Sequence, residues 1–137
     1  MNKQQYQMIR ALEAEGVTYQ DAQALRRISM TLHRWHEMAC GNGRGYIERD
    51  EKTGVPYWYN ANARYLGAND PRAYTRIPDR EKGALKRLAA IMARYPHLTH
   101  YIQGDPRGAA LYIWTPRNAA VYGDDVGANY SRGIAVY

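Results

Sequence analysis

The stretch Thr99–Trp114 reads THYIQGDPRGAALYIW, and it decides the fold. Two short runs, Thr99–Gln103 and Ala110–Trp114, are rich in β-branched, aromatic and apolar residues. Between them lie the turn-forming residues Gly104–Gly108, which include Asp and Pro. Runs of this kind on either side of a short Gly/Pro/Asp segment are typical of a β-hairpin. The stretch therefore predicts two antiparallel strands.

The sequence on either side of this hairpin predicts a helix before it and a strand after it. Residues 79 to about 94 repeat apolar residues at helical spacing, and Pro96 ends the pattern. The buried side of this helix is predicted to consist of Leu85, Leu88, Ile91, Met92 and Tyr95. Residues 115–129 are predicted as loop, and Ser131–Tyr137 as a last strand.

A second hairpin is predicted earlier in the chain. Tyr46–Arg49 and Val55–Asn60 flank the turn-rich residues 50–54. Because successive strand residues point to opposite faces, Tyr57 and Tyr59 should lie on one face and Trp58 on the other. We expect Trp58 to be buried beneath the helices. Residues 61–78 show no period and are predicted as a long loop.

The N-terminal third of the chain predicts two helices joined by a short connection. Residues 3–15 have apolar residues at three-residue steps and end at Gly16. Thr18 followed by Asp21 resembles a capping box and opens a second helix over residues 19–40. The apolar stripe of that helix is predicted to be Leu25, Ile28, Leu32, Trp35 and Ala39.

Taken in chain order, the elements are two helices, two strands, a helix and three strands. An N-terminal αα-hairpin is thus followed by a β-hairpin, a helix and a further hairpin or three-strand meander. Strands joined mostly by tight turns, with separate helices on one face, make this an α+β fold. The 137 residues contain no repeat and no long linker, which predicts a single domain over residues 1–137.

Composition bounds the class of protein. The one cysteine, Cys40, and an N-terminus without the apolar middle of a secretory signal predict a cytoplasmic protein. No apolar run approaches the ~20 residues of a membrane span. The chain has 13 Tyr and 3 Trp but no Phe. Tyr and Trp are enriched at binding surfaces, although Tyr also replaces Phe in modest cores.

Positive charge is concentrated in one segment. The net charge is +6, and residues 64–94 hold eight basic and three acidic side chains. A basic loop followed by a basic helix face suits phosphate oxygens, whereas the alternative is an ordinary solvated helix surface. The predicted partner-binding residues are Arg72, Arg76, Arg80, Lys82, Lys86, Arg87 and Arg94, together with Tyr57 and Tyr59 of the hairpin.

Signatures of an enzyme are thin. The chain has no P-loop, no GxSxG, no HExxH and no CxxC motif. His33, His36 and Cys40 lie near one another on the second helix, which is a spacing a metal can use. Because they flank the apolar stripe, the prediction is no metal and no cofactor, and a metal-dependent enzyme is the third alternative.

Three segments carry a resemblance to a known group of proteins. They are Leu85–Trp114, the ending Tyr130–Tyr137 (YSRGIAVY) and the hairpin arm PYWYN at 56–60. They resemble small accessory proteins of bacteriophages, prophages and integrative elements. The resemblance implies a bacterial host cell and a role in binding, and some such proteins inhibit host defence, as anti-CRISPR proteins do.

The sequence thus predicts a non-enzymatic binding protein. Its partner would be a host defence protein complex, and the protein would act as an inhibitor in the anti-CRISPR manner. The alternative is a DNA- or RNA-binding accessory protein of a mobile element. No membrane partner is expected, and the sequence leaves the oligomeric state open.

The prediction about the histidines can be tested directly. If His33, His36 and Cys40 only flank the core, the purified protein should hold no stoichiometric zinc, and a chelator should leave its Tm unchanged. One metal ion per chain would contradict this prediction. Removal of that ion should then lower the Tm, because metal binding and folding are coupled.

Overall fold

The chain folds as helices packed on an antiparallel sheet. A computed structural model describes residues 1–40, 45–49, 52, 56–60, 74–76, 79–104 and 109–137. The elements in chain order are α1 Lys3–Ala14, α2 Tyr19–Cys40, β1 Gly45–Arg49, β2 Pro56–Asn60, β3 Tyr74–Arg76, α3 Asp79–Met92, β4 Thr99–Gly104, β5 Leu111–Trp114, α4 Pro116–Tyr122, α5 Val126–Asn129, the 3₁₀ helix η1 Tyr130–Arg132 and β6 Ile134–Val136.

The α+β prediction is confirmed, and so are the bounds of the longer elements to within a few residues. The structure adds elements where the sequence predicted loops. The short strand β3 lies inside the predicted loop 61–78, and α4 and α5 lie inside the predicted loop 115–129. β3 has three residues, which is too short for an alternating pattern to be recognised. α4 buries none of its residues, so it lacks an apolar stripe and is stabilised locally by its cap.

That cap is a reciprocal pair of hydrogen bonds at the start of α4. The N–H of Asn118 donates to Thr115 Oγ1 over 3.1 Å, and the N–H of Thr115 donates to Asn118 Oδ1 over 3.0 Å. Pro116 occupies the first turn, where its fixed φ suits a helix and its missing N–H costs nothing. The motif Thr-Pro-x-Asn is therefore a helix start that apolar periodicity cannot detect.

All described strands belong to one sheet. Its order is β3-β2-β1-β4-β5-β6, and each of these strands is antiparallel to its neighbours. The predicted hairpins appear as the pairs β1–β2 and β4–β5. The register places Trp58 opposite Ile47 and Thr75, and places Tyr59 opposite Tyr46 and Tyr74.

The first two helices are joined by the four residues 15–18, which have a defined geometry. Gly16 has φ +89°, a left-handed conformation that glycine adopts without strain. The N–H of Val17 donates to the carbonyl of Leu12, and that of Gly16 donates to the carbonyl of Glu13. These two bonds form a Schellman motif. Val17 and Leu12 are both buried, so the motif also contributes an apolar contact.

One large core lies between α1, α2, α3 and one face of the sheet. The largest fully buried side chains are Ile9, Leu12, Leu25, Ile28, Leu32, Leu88, Leu111, Ile113 and Val136. The predicted stripe of α2 is confirmed at Leu25, Ile28 and Leu32, whereas the side chains of Trp35 and Ala39 lie outside the description. The side chain of Trp58 does too, so its burial stays a prediction.

A second, smaller cluster covers the opposite face of the sheet at β5. The Tyr112 ring meets the Tyr130 ring edge-on at 4.8 Å between centroids, and Tyr101 stacks on Tyr130 at 5.6 Å. η1, which carries Tyr130, contacts β5. The expectation that helices cover one face alone is therefore wrong at β5, where all four residues are buried.

A buried hydroxyl connects the longest helix to two strands. Ser29 on α2 is 1% exposed. Its Oγ donates to the carbonyl of Val136 over 2.6 Å and accepts from the N–H of Ala110 over 3.3 Å. Since β6 ends at Val136 and Ala110 directly precedes β5, one side chain sets the position of α2 over this half of the sheet.

We expect Ser29→Ala to lower the free energy of unfolding by about 1–3 kcal/mol, because it removes the hydrogen-bond partner of two buried backbone groups. Urea unfolding followed by circular dichroism measures this change.

Thr31→Ala is the matched control. Thr31 lies on the same helix, and its Oγ1 bonds to the carbonyl of Arg27 in a pattern that does not stabilise helices. Both substitutions gain helix propensity, so equal unfolding free energies for the two variants would contradict a structural role for the Ser29 hydroxyl.

Candidate binding surfaces

The exposed cations of α3 lie on the side away from the core. Leu88 and Ile91 are buried, whereas Lys86 and Arg87 are exposed and Lys82 is half-buried. An Arg87 guanidinium nitrogen lies 3.4 Å from where a Cβ on Gly83 would stand, so this side chain runs back along the helix. We call Lys82, Lys86 and Arg87 the α3 cationic face.

Arg94 is exposed, as the sequence predicts, but it is part of an ion pair. It follows the end of α3, and its side chain is 55% exposed. Its Nη2 donates to Asp21 Oδ1 over 2.5 Å, and its Nε donates to Asp21 Oδ2 over 3.2 Å. This two-pronged contact balances the charge of Arg94 and joins the end of α3 to the first turn of α2.

Asp21 lies at the centre of a small polar network. The hydroxyl of Tyr95 donates to Asp21 Oδ2, and the N–H of Thr18 donates to the Tyr95 hydroxyl over 3.1 Å. The Arg94 guanidinium and, next, the Tyr95 hydroxyl hold the pKa of the Asp21 carboxyl below its ordinary value of 3.8. A lowered pKa means that these partners stabilise the charged carboxylate.

Of the two reciprocal hydrogen bonds of the capping box predicted at α2, the one to the Thr18 hydroxyl is formed. The N–H of Asp21 donates to Thr18 Oγ1 over 3.1 Å, which caps the helix as expected. The N–H of Thr18 donates to the hydroxyl of Tyr95, which lies 77 positions later in the chain, instead of to a side chain of its own helix. This cap is thus tied to tertiary packing.

Tyr57 and Tyr59 lie on one face of the sheet and Trp58 on the other, as the period of two predicts. Tyr57 is opposite Glu48 and Arg76, and Tyr59 is opposite Tyr46 and Tyr74. Tyr57 is half-buried, and the side chains of Tyr59 and Arg76 lie outside the description. We call Tyr46, Tyr57, Tyr59 and Tyr74 the tyrosine face.

The two predicted contact regions lie on opposite sides of the sheet. α3 packs against α2 and shares the large core with Leu111 and Ile113 of β5. The register places Trp58, not Tyr57 or Tyr59, on this core side, because Trp58 aligns through Ile47 with the strand positions of Ile102 and Leu111.

Three further predicted binding residues remain. Arg76 shares the tyrosine face, Arg80 lies in α3 without a described side chain, and Arg72 lies outside the described residues.

The histidines do not form one cluster among the described residues. His33 on α2 is half-buried, and the side chains of His36 and Cys40 lie outside the description. His97 Nε2 lies 2.7 Å from the carbonyl of Glu15 at the end of α1, so this nitrogen carries the proton. His100 lies in β4, where burial lowers the pKa of its imidazole. No group of three or more potential metal ligands occurs in the part of the chain that is described.

One feature of the C-terminal region had no signal in the sequence. Trp114 is buried, and its Nε1 has no hydrogen-bond partner within the described structure. Its ring lies 6.1 Å from the Tyr122 ring, and the Arg132 guanidinium carbon lies 5.6 Å from the same tyrosine. These contacts fasten α4 and η1 over the end of β5. They are packing contacts, since the indole Nε1 has no hydrogen-bond partner among the residues described.

Comparison of the chain with protein-family models, with curated proteins and with solved structures finds no match. Among the helices of the described segments, none is long and apolar enough to cross a membrane.

The Asp21 network predicts a dependence of stability on pH. Asp21→Asn should unfold with about 1–2 kcal/mol less free energy than wild type at pH 7, because it loses charge-assisted bonds that solvent partly screens. The pKa of Asp21 is lowered in the folded state. Its contribution is therefore present above pH 3.8 and is lost as the pH falls through the lower, folded-state pKa.

Urea unfolding of both proteins at several pH values from 7 down to 2 measures the difference. Asp124→Asn is the control, since Asp124 is an exposed aspartate in the turn after α4. A gap between wild type and Asp21→Asn that stays constant down to pH 2 would contradict this account.

Proposed function

We propose that this chain is a non-enzymatic binding protein that inhibits a defence complex of a bacterial host cell. In this proposal, the α3 cationic face binds an acidic surface of that complex. The observation that carries the proposal is the exposure of Lys86 and Arg87 on the side of α3 away from Leu88 and Ile91. Neither Lys86 nor Arg87 is part of the large core.

The physical case for an acidic partner rests on the concentration of positive charge. The segment 64–94 carries +5 of the net +6, and within it Arg94 forms an ion pair with Asp21. Like charges gathered on one helix cost some stability and raise the rate of association with an oppositely charged surface. The resemblance to mobile-element proteins supplies the setting, because such proteins act inside a bacterial cell.

A second candidate function is binding of nucleic acid. Arg76 lies in β3, one of the two edge strands of the described sheet, and its position shares a face with that of Tyr57. A cation beside aromatic residues at a sheet edge favours a phosphate-bearing partner. A pull-down from bacterial lysate, with and without nuclease, separates the two candidates. A protein partner that survives nuclease supports inhibition of a complex, and a nuclease-sensitive signal supports nucleic acid.

The proposed inhibitor role predicts a specific loss of function on charge reversal. The double variant Lys86→Glu, Arg87→Glu should fold like wild type, because exposed positions change stability by less than ~0.5 kcal/mol each. It should lose the nuclease-resistant partner. It should also fail to restore plaquing of a targeted phage on hosts that carry an active CRISPR system, which wild type should restore.

The matched control is Lys3→Glu, Arg10→Glu, which reverses the same number of charges on exposed positions of α1. Capture of the partner by wild type should weaken as salt rises from ~50 to ~200 mM. Equal capture by both double variants would show that the α3 cationic face is an ordinary solvated surface. Unchanged plaquing with wild type on a panel of CRISPR hosts would exclude the inhibitor role. Arg94 is left intact, since its reversal would break the pair with Asp21.

A further inference from the structure

The solvent side of α2 carries two arginines with an exposed apolar side chain between them. Arg27, Met30 and Arg34 are three and four residues apart, so they lie within about 60° of one another around the helix. Arg27 and Arg34 are exposed, and Met30 is 46% exposed. The buried residues Leu25 and Leu32 lie on the opposite side. We call Arg27, Met30 and Arg34 the α2 outer face.

The α2 outer face lies beside the α3 cationic face. Arg94 pairs with Asp21, so the end of α3 lies beside the first turn of α2, and the two packed helices run in opposite directions. Arg87 lies about 10 Å before Arg94 along α3, and Arg27 lies about 9 Å after Asp21 along α2. Both helices cover the same side of the sheet, so their exposed sides point the same way. The two faces therefore form one continuous surface.

The positive charge of this surface is not balanced by acidic residues of the same helix segments. Residues 22–34 and 82–93 contain six basic residues and no acidic one. Among the described residues, no ion pair involves either arginine of the α2 outer face, and none involves Lys86 or Arg87. The next acidic residue of α2 is Glu37, whose side chain lies outside the description. A surface of this sign favours an anionic partner.

Met30 indicates which class of anionic partner fits. The oxygens of a phosphate backbone gain nothing from contact with a thioether, whereas protein interfaces are enriched in both Met and Arg. Such interfaces place their strongest contacts at the centre, inside a ring of residues that exclude water. Met30 lies between Arg27 and Arg34 and beside the α3 cationic face, which is such a central position. The combination favours a protein over a nucleic acid.

We propose that the α2 outer face and the α3 cationic face form one docking surface for an acidic protein surface that surrounds an apolar pocket. Met30 enters the pocket, because its unbranched side chain adapts to irregular spaces. Arg27 and Arg34 bind carboxylates at the rim of the pocket, where the guanidinium fork makes two bonds at once. The proposal rests on the proposed inhibitor role, and it states what the partner presents to this chain.

Photocrosslinking tests the contact of Met30 directly. Photoreactive p-benzoylphenylalanine is introduced in place of Met30, and the protein is irradiated inside a bacterial host that carries an active CRISPR system. After nuclease treatment, mass spectrometry should find one protein, joined through a peptide that contains apolar residues and lies beside Asp or Glu. The same crosslinker in place of Tyr6 is the control, since Tyr6 is 52% exposed on α1. It should not join that protein.

The protein that is joined at position 30, expressed and purified, is then the probe for affinity in calorimetric titrations. Met30→Gln removes the apolar end of the side chain and should weaken binding roughly tenfold or more, as the loss of a central interface contact does. Met30→Leu keeps the apolar character and should stay close to wild type. The double variant Arg27→Glu, Arg34→Glu should weaken binding roughly a hundredfold, because it brings like charges together. Lys3→Glu, Arg10→Glu is the control and should bind like wild type.

Salt separates the two kinds of contact. From ~50 to ~200 mM salt, the loss caused by Arg27→Glu, Arg34→Glu should shrink, because exposed charges are screened. The loss caused by Met30→Gln should not change, since contact with an apolar pocket does not depend on charge. All variants should melt like wild type, because they lie at exposed positions.

Three results would overturn the proposal. They are a crosslinker at position 30 that joins no protein, one that joins nucleic acid, and full affinity in Met30→Gln and Arg27→Glu, Arg34→Glu variants that melt like wild type.

Failure of the inhibitor role gives a different result. If position 30 joins a protein with no part in host defence, and the variants lose affinity for it, the docking surface stands and the inhibitor role is wrong. If Lys86→Glu, Arg87→Glu loses a defence complex that the Met30→Gln and Arg27→Glu, Arg34→Glu variants still bind, the inhibitor role stands. The α2 outer face is then an ordinary solvated surface, and the proposal is wrong.

Discussion

The hydroxyl of Ser29 is the polar contact on which the arrangement of helices over the sheet depends. Apolar packing is tolerant of small shifts, because any close contact between apolar side chains is favourable. A buried hydrogen bond is not tolerant, since a group taken from water and left without a partner costs free energy. Ser29 meets two backbone groups at once, so α2 has one position and one rotation at which both are satisfied.

The two faces of the sheet differ in composition and in role. One face carries Ile102, Leu111, Ile113 and Val136 and closes the core under α1, α2 and α3. The other face is aromatic and polar, and tyrosine serves it well because the ring packs while the hydroxyl stays solvated or bonded. Tyr112 and Tyr130 show the packed use of this chemistry. Among the described residues, the large core is mainly aliphatic, whereas Tyr101, Tyr112, Tyr130 and Tyr137 pack together on the second face.

The sequence predicts those parts of the fold that local pattern determines. The stripe of Leu25, Ile28 and Leu32 defined α2 because it repeats over several turns, and Gly16 marked the end of α1 because its φ is positive. β3 and α4 were not predicted, because three residues show no alternation and a helix without buried residues shows no apolar period. The pairing of Arg94 with Asp21 was not predicted for a different reason. It joins residues 73 positions apart, and side chains that meet through tertiary packing leave no mark at short range. The sequence predicted which residues of β2 share a face. That Tyr57 and Tyr59 lie on the side of the sheet opposite α3 follows only from the topology of the sheet.

The bond between Ser29 and Val136 spans 107 positions of the chain, and this span has a consequence for synthesis. Residues emerge from the ribosome in order, so α1 and α2 are made long before β6. Their apolar residues, Leu12 and Leu25 among them, have no sheet to cover them during that interval. Contacts between distant residues also slow folding, because the loop between them must close first. The apolar faces of α1 and α2 are therefore covered completely only after β5 and β6 have been made, and apolar surface that is exposed during folding favours aggregation.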